Sequence, residues 1–144
     1  MKERTTYPLL AAAALLAAAS CGSSSITPDR IERAIEQTFA RLVQLQVASL
    51  KLRPMQAADA EVVASCRRLA AGADAGAGDW VCRLRWLGPD RQPLHDSFDL
   101  VVTPDGCYTA TAEGDRFGGP TLRATDGTAV RNFLSVFEGC FDAL

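Results

Sequence analysis

The most regular pattern of apolar and polar positions lies in residues 28–53, where apolar or small side chains recur every three to four residues. The intervening positions carry arginine and glutamine, so the segment predicts one long amphipathic helix with a core-facing side. Thr27 and Pro28 are typical of a helix start, and Pro54 predicts its end because the residue before a proline avoids the helical conformation. The positions expected to face the core are Ile31, Ile35, Thr38, Phe39, Leu42, Leu45 and Ser49.

Four later segments alternate between apolar and polar residues, as half-buried β-strands do. They are residues 60–69, 79–87, 95–103 and 107–112. The connections between them are rich in glycine, alanine and proline, and they are short enough for antiparallel neighbours. The pattern therefore predicts an α+β fold in which the N-terminal helix packs on a four-stranded antiparallel meander sheet.

Centring each hairpin on its loop assigns every strand residue to one of two faces of the sheet. The face expected to meet the helix holds Val62, Ala64, Cys66, Trp80, Cys82, Leu84, Trp86, Phe98, Leu100, Val102 and Cys107. On the outer face, Arg83 is expected to lie opposite Asp99 as a surface ion pair. Val81, Val101 and Tyr108 form an apolar row there, which either the C-terminal segment covers or a partner binds.

Two segments follow the fourth predicted strand. Residues 113–127 are rich in glycine and charge and predict an exposed loop, in which Arg116, Phe117 and Arg123 are candidate recognition residues. A plain connector is the simpler interpretation of this loop. Residues 128–141 carry apolar side chains at helical spacing, and we expect this segment to pack over the apolar row of the outer face.

The N-terminal residues 1–20 have a different character from the rest. A short positive stretch precedes an apolar run that ends in small residues, as in export signals, and the run is shorter than the roughly 20 residues that span a membrane. The sequence Ala18, Ala19, Ser20, Cys21 resembles the lipobox of bacterial lipoproteins. This resemblance implies cleavage before Cys21 and a diacylglycerol on its thiol, with residues 21–27 as a tether. The alternative is an ordinary signal peptide that leaves Cys21 as a thiol.

Four further cysteines can form two disulfides or a zinc site. An exported protein favours disulfides, and zinc sites usually bring two ligands much closer in sequence than any pair found here. If the first hairpin centres on Asp74, Cys66 lies directly opposite Cys82, at a separation that a disulfide can join. Cys107 and Cys140 then remain as the second pair.

Charge and motifs exclude several classes of function. The formal net charge is −2 and basic residues alternate with acidic ones, unlike the basic footprint of a nucleic-acid-binding protein. His95, Ser97 and Asp99 contain the residue types of a catalytic triad, but residues two apart on a strand are separated by about 6.6–7 Å, too far for hydrogen bonds between them. We find no other catalytic motif and expect neither a cofactor nor a metal.

The segments "DWVCRLRW" and "DLVVTPDGCYTA", together with the lipobox, resemble small uncharacterised envelope lipoproteins of high-GC bacteria. The resemblance implies no catalytic residues. We therefore expect residues 28–144 to form one extracytoplasmic domain, held by lipid on Cys21 at the cell membrane or outer membrane, that binds or scaffolds an envelope protein. A small-molecule or lipid carrier with a pocket lined by Trp80, Trp86 and Phe98 is the alternative, and an enzyme is the third possibility.

Overall fold

The computed structural model describes residues 26–114 and 117–141 and confirms an α+β architecture, with one helix packed on an antiparallel sheet. The predicted signal peptide, Cys21 and Arg116 lie outside these residues. The elements are helix α1 (Pro28–Ser49), a 3-10 turn (Ala57–Ala60) and strands β1 (Val63–Arg68), β2 (Gly78–Leu87), β3 (Pro93–Val102), β4 (Cys107–Ala112), β5 (Thr121–Arg123), β6 (Ala129–Arg131) and β7 (Val136–Cys140). No helix among the described residues has the length and apolar character needed to span a membrane.

Helix α1 begins at Pro28 as predicted but ends at Ser49, earlier than residue 53. Lys51 adopts a left-handed conformation (φ 57°), and its backbone N–H donates to the carbonyl of Ala48 at 3.1 Å. The N–H of Leu52 donates to the carbonyl of Val47, also at 3.1 Å. These two bonds form a Schellman motif, so a local cap ends the helix before Pro54 acts.

The buried stripe of α1 follows steps of about four residues. It comprises Ile31, Ile35, Phe39, Val43, Gln46 and Val47. The prediction that Leu45 faces the core is wrong, since this side chain is 53% exposed, and it lies beside the stripe rather than within it. Phe39 anchors the stripe, because its ring centroid lies 4.9 Å from that of Trp86 and 5.5 Å from that of Phe98. Aromatic contacts at this spacing are favourable beyond simple burial.

Within the described residues the main sheet has five strands, not the four predicted, in the order β1-β2-β3-β4-β7, and β5 and β6 form a separate two-stranded hairpin. The C-terminal segment therefore forms an edge strand beside β4, and the expectation that it covers the outer face is wrong. Phe137 of β7 points into the core, while Val136 and Glu138 on either side of it are exposed. The alternation of a strand, rather than helical spacing, determines the structure of this segment.

The loop between β2 and β3 shifts the predicted register by two residues. Gly88 N–H donates to the carbonyl of Gln92 at 3.0 Å, and Arg91 adopts a left-handed conformation (φ 56°). This three-residue loop places Arg83 opposite Ser97 instead of Asp99. A two-residue shift keeps every side chain on its predicted face, so only the cross-strand partners change.

The turn between β3 and β4 shifts the register by one residue, which reverses the faces of β4. Gly106 lies in the left-handed region (φ 83°), and Thr103 N–H donates to the carbonyl of Cys107 at 2.8 Å. This geometry is a type I turn followed by a bulge, and it pairs Val102 with Tyr108. The predictions that Tyr108 faces outward and Cys107 faces the helix are therefore both wrong.

Tyr108 is 2% exposed and lies over Gly139, its cross-strand partner in β7. A Cβ atom at Gly139 would lie only 2.5 Å from the Tyr108 hydroxyl oxygen, so the ring occupies the space that a side chain would need. Burial raises the pKa of the Tyr108 hydroxyl, and the side chain of Thr38 offsets part of this effect. A glycine covered by a cross-strand aromatic ring is a known way of packing an edge strand.

Both predicted disulfides are present. Cys66 is bonded to Cys82 and joins β1 to β2, with the two Cα atoms 4.1 Å apart. Cys107 is bonded to Cys140 and joins β4 to β7, with a Cα separation of 3.9 Å. Each bond links residues that lie directly opposite each other, so each edge strand of the sheet is covalently attached to its neighbour.

Two buried amide side chains hold the C-terminal segments in place, one through bonds from the helix and one through bonds between these segments. Gln46 of α1 donates to the carbonyl of Arg131 at 3.3 Å and accepts from the N–H of Phe133 at 2.7 Å. Asn132 donates to the carbonyls of Phe117 and Gly119 at 2.6 and 3.0 Å. Because buried polar groups need partners, these bonds favour a single arrangement of the β5–β6 hairpin beside the core.

Candidate functional site

Three exposed arginines, Arg67, Arg83 and Arg85, project from the outer face of the sheet, opposite the helix. Their side chains face outward because the alternate residues on the same strands, such as Cys82 and Leu84, are buried in the core. The guanidinium groups of the three arginines form no hydrogen bond or ion pair with a described residue. We refer to these three residues as the arginine face.

The strand register explains why these charges have no partner within the sheet. Directly opposite Arg83 and Arg85 stand Ser65, Ser97, Val63 and His95. Asp99, the predicted partner of Arg83, lies opposite Val81 instead. Since like charges two residues apart on a strand repel weakly and no carboxylate stands opposite, the arginine face favours an anion from outside.

A shallow depression of about 570 Å³ lies on this face. Its lining includes Ser65, Val81 and all three arginines of the arginine face. Guanidinium groups bind carboxylates and phosphates through two parallel hydrogen bonds, and they keep their charge at any physiological pH. The arrangement can therefore bind an acidic group.

The remaining part of the outer face carries the opposite charge. Asp79, Asp99 and Glu138 are exposed there, and Val101 is 56% exposed. The predicted apolar row does not form, because Val101 lies opposite Asp79 and Tyr108 points into the core. The alternating sequence "CRLRW" of β2 is the signal that indicates the arginine face, since two arginines there share one side of a strand.

The candidate recognition residues of segment 113–127 do not form one cluster. The ring of Phe117 stacks on Trp86 at a centroid distance of 5.6 Å and is half-buried, so it helps to close the core. Arg123 is exposed on β5 and donates to the carbonyl of Gly127 within its own hairpin at 3.1 Å. The segment also contains β5, so it is not wholly a loop as predicted. Arg116 lies outside the described residues.

The interior between helix and sheet is occupied by packed aromatic rings. Trp80 and Phe98 are fully buried and Trp86 nearly so, and the ring of Phe98 contacts those of Phe117 and Phe137 at 5.7 and 5.5 Å. These residues, which would line the pocket of a carrier, thus contact side chains of the protein itself. His95, Ser97 and Asp99 stand in a row along the outer side of β3, as the alternation of that strand requires.

Comparisons with known proteins do not indicate a function for this surface. No protein-family model, curated protein or solved structure gives a significant match to the chain. The charge and geometry of the described residues therefore carry the functional interpretation.

Proposed function

We propose that this protein is a lipid-anchored module of the bacterial cell envelope that binds an acidic partner protein through the arginine face. The observation that carries the proposal is the group of three exposed arginines with no hydrogen bond or ion pair to a described residue. They lie on a sheet in which a disulfide joins each edge strand to its neighbouring strand, and these bonds give the surface a fixed shape. Arginines are frequent anchors at interfaces, and a rigid sheet beneath them limits the backbone freedom that is lost on binding.

The pattern of charge favours a protein over an anionic membrane as the partner of this face. Asp79, Asp99 and Glu138 lie on the same side of the sheet as the arginines. A uniformly anionic lipid surface would be repelled by these carboxylates, whereas a protein can present matching charges of both signs. Exposed Val101 and Val136 would add apolar contact area between the charged regions.

Two observations support anchoring in the envelope. The lipobox-like sequence before Cys21 follows an apolar run too short to span a membrane, and a diacylglycerol supplies two acyl chains, enough for stable attachment. The two disulfides agree with an oxidising compartment. Intact mass spectrometry of the membrane-extracted protein, with and without reductant, tests this. We expect a lipid mass that Cys21→Ser abolishes, and an unlipidated soluble wild-type product would contradict the anchor.

Site-specific photocrosslinking tests the docking surface. A crosslinker at Ser97, which lies on β3 directly opposite Arg83, is compared in the wild type, Arg83→Glu/Arg85→Glu and the control Arg53→Glu. Arg53 is exposed on the segment after α1, outside the sheet. We expect the wild type and the control to form the same adduct with an acidic protein, and the double variant to lose it. Equal adducts in all three, or adducts with phospholipid alone, would contradict the proposal.

A further inference from the structure

The edge of the sheet formed by β7 carries backbone groups that have no hydrogen-bond partner among the described residues. Phe141 N–H donates to the carbonyl of Gly106 at 3.0 Å, and Ala112 N–H donates to that of Ser135 at 2.9 Å. Because hydrogen-bonded pairs alternate in an antiparallel ladder, Val136, Glu138 and Cys140 direct their N–H and C=O groups away from β4. Among the described residues, no hydrogen bond involves the N–H of Glu138 or Cys140.

A groove of about 410 Å³ lies between this edge and helix α1. One wall consists of Cys140, the last residue of β7, and Phe141 after it, and the other carries Arg33, Gln37 and Arg41, all exposed on α1. The helix runs roughly antiparallel to the strand, since Gln46 contacts Phe133 at one end and the groove reaches Phe141 at the other. An open edge therefore faces a positively charged helix wall across a gap that the described residues leave unfilled.

We propose that the β7 edge binds an acidic, extended segment of a partner protein as a sixth strand of the sheet. The unpaired backbone groups require an extended main chain, and the arginines of the groove require carboxylates on the side chains that face them. Arg33 and Arg41 are eight residues apart, about 12 Å along the helix axis. Residues four apart on a strand are separated by about 13 Å, so two acidic residues at that spacing can meet both arginines.

A second copy of the chain is a poorer occupant of this edge. In the antiparallel pairing that uses all three outward-facing residues of β7, Glu138 would stand directly opposite its own copy. Like charges in that position destabilise a strand pair. The site also differs from the arginine face, so the inference does not depend on the proposed function or on the lipid anchor.

Peptide binding to the oxidised full-length protein tests the inference. The probe is a decapeptide in which glutamate alternates with valine, and the matched control peptide carries lysine in place of glutamate. We expect the acidic peptide to slow amide hydrogen exchange at Glu138 and Cys140, and Arg33→Gln/Arg41→Gln to weaken its binding by at least tenfold. Glu138→Pro removes one outward N–H without removing a bond to β4, so it should also weaken binding, whereas Glu138→Gln should not.

Two controls distinguish binding at the β7 edge from binding at the arginine face and from coverage of the edge by this chain itself. Arg83→Glu/Arg85→Glu alters the arginine face and should leave peptide affinity unchanged, even if it abolishes the photocrosslink at Ser97. Binding that is insensitive to the groove and edge variants would overturn the inference. Slow hydrogen exchange of the Glu138 and Cys140 amides in the free protein would also overturn the inference. If this protection disappears when residues 142–144 are deleted, the chain's own tail covers the edge. If it disappears on dilution, a second copy covers the edge.

Discussion

The two edges of the main sheet are built differently, although each edge strand is attached to its neighbour by a disulfide. At the β1 edge, the N–H groups of Cys66 and Ala64 donate to the carboxylates of Glu32 and Glu36 on α1, at 2.8 and 2.9 Å. At the β7 edge, the described residues supply no such acceptors, and Cys140 at its end lines a groove whose other wall carries arginines. One side of the helix therefore closes an edge, and the other side leaves one open.

This difference shows how one helix can protect a sheet and still leave a surface for recognition. Exposed edges promote aggregation, and covering them is a common protection. Two glutamates spaced four residues apart on α1 take two of the outward donors of β1, as a neighbouring strand would. The opposite flank of the same helix presents Arg33 and Arg41, which do not accept hydrogen bonds and so cannot close β7 in the same way.

Removing each disulfide in turn should give the largest effects and separate the two edges. Loop entropy predicts losses in the free energy of unfolding of about 3.7 kcal/mol for Cys107→Ala/Cys140→Ala and about 3.1 kcal/mol for Cys66→Ala/Cys82→Ala. Urea unfolding measures both values. Hydrogen exchange should show β7 losing its protection selectively in the first variant, because β4 is the only strand beside it among the described residues, while β1 keeps its contacts with α1 in the second.

The exposure of the sulfur atoms provides an independent check on this prediction. Cys140 is exposed, whereas Cys66 and Cys82 are buried in the core. Reductant under native conditions should therefore open the Cys107–Cys140 bond first, as mapped by alkylation and mass spectrometry. Equal protection of β1 and β7 in the two variants, or earlier reduction of Cys66–Cys82, would show that the edges do not differ as described.

Glu32→Ala should destabilise the closed edge by about 1.5–3 kcal/mol, the usual contribution of a hydrogen bond to a charged group. The substitution removes the acceptor of the Cys66 N–H and leaves this donor at a partly buried position. Glu32→Gln retains an acceptor and should recover part of the loss. Glu138→Ala on the open edge is the matched control and should change stability by less than about 0.5 kcal/mol, since its side chain is exposed. A similar loss of stability in Glu138→Ala would contradict the conclusion that α1 closes the β1 edge and leaves the β7 edge open.

Gly139→Ala should destabilise the open edge by about 1–3 kcal/mol, because a new methyl group must displace the ring of Tyr108. The new Cβ would lie 2.6 Å from the ring carbon that carries the hydroxyl, and this ring is packed in the core. Thermal or urea unfolding measures the loss, and a changed NMR signal of Tyr108 would locate it. Gly119→Ala is the control, since nothing lies within 4 Å of its added Cβ. Equal stability of both variants would contradict this packing.

Local patterns in the sequence predicted the features that depend on one element or one hairpin. The start of α1 at Pro28 and the pairing of Cys66 with Cys82 follow from capping chemistry and hairpin symmetry, and both are confirmed. The faces of β4 were predicted wrongly because one left-handed residue, Gly106, adds a bulge, and a single added residue reverses every later side chain of the strand. Hydrophobic alternation alone cannot distinguish a turn that contains this bulge from a turn without it.

Features that join distant segments were less accessible to sequence reasoning. The fifth strand was missed because a short apolar segment fits helix and strand equally well. The predicted Cys107–Cys140 bond could have indicated this strand. A disulfide between directly opposite strand residues, as predicted for Cys66 and Cys82, would also place Cys140 on a strand beside β4. The arginine face depends on the register of three strands, so Arg83 could be placed on a face, whereas its lack of a carboxylate partner could not be predicted.

The smallest expected change in stability concerns the ion pair that attaches the β5–β6 hairpin to the end of α1. This hairpin precedes β7, the strand at the open edge, in the chain. The ammonium of Lys51, just after α1, forms an exposed ion pair with Asp126 of the β5–β6 turn. This ion pair, together with hydrogen bonds from Thr128, lowers the pKa of that carboxyl to about 2. In the unfolded chain the pKa of an aspartate is about 3.9. The contact therefore stabilises the folded protein fully above that value, and its contribution is lost as the pH falls through about 2.

Asp126→Asn should flatten part of the acid dependence of stability, which urea unfolding between pH 5 and pH 2 measures. It should not remove all of it, because hydrogen bonds from Thr103 and Cys107 also lower the pKa of Asp105. Asp105→Asn is thus the matched variant at the β3–β4 turn, and the double variant should be flatter than either. Since Thr125 N–H also donates to the carbonyl of Leu50 at 3.1 Å and Gln46 donates to the carbonyl of Arg131 at 3.3 Å, the hairpin stays attached to the helix end when Asp126 is protonated. An unchanged pH profile in Asp126→Asn would mean that this ion pair does not help to hold the segment that leads into β7.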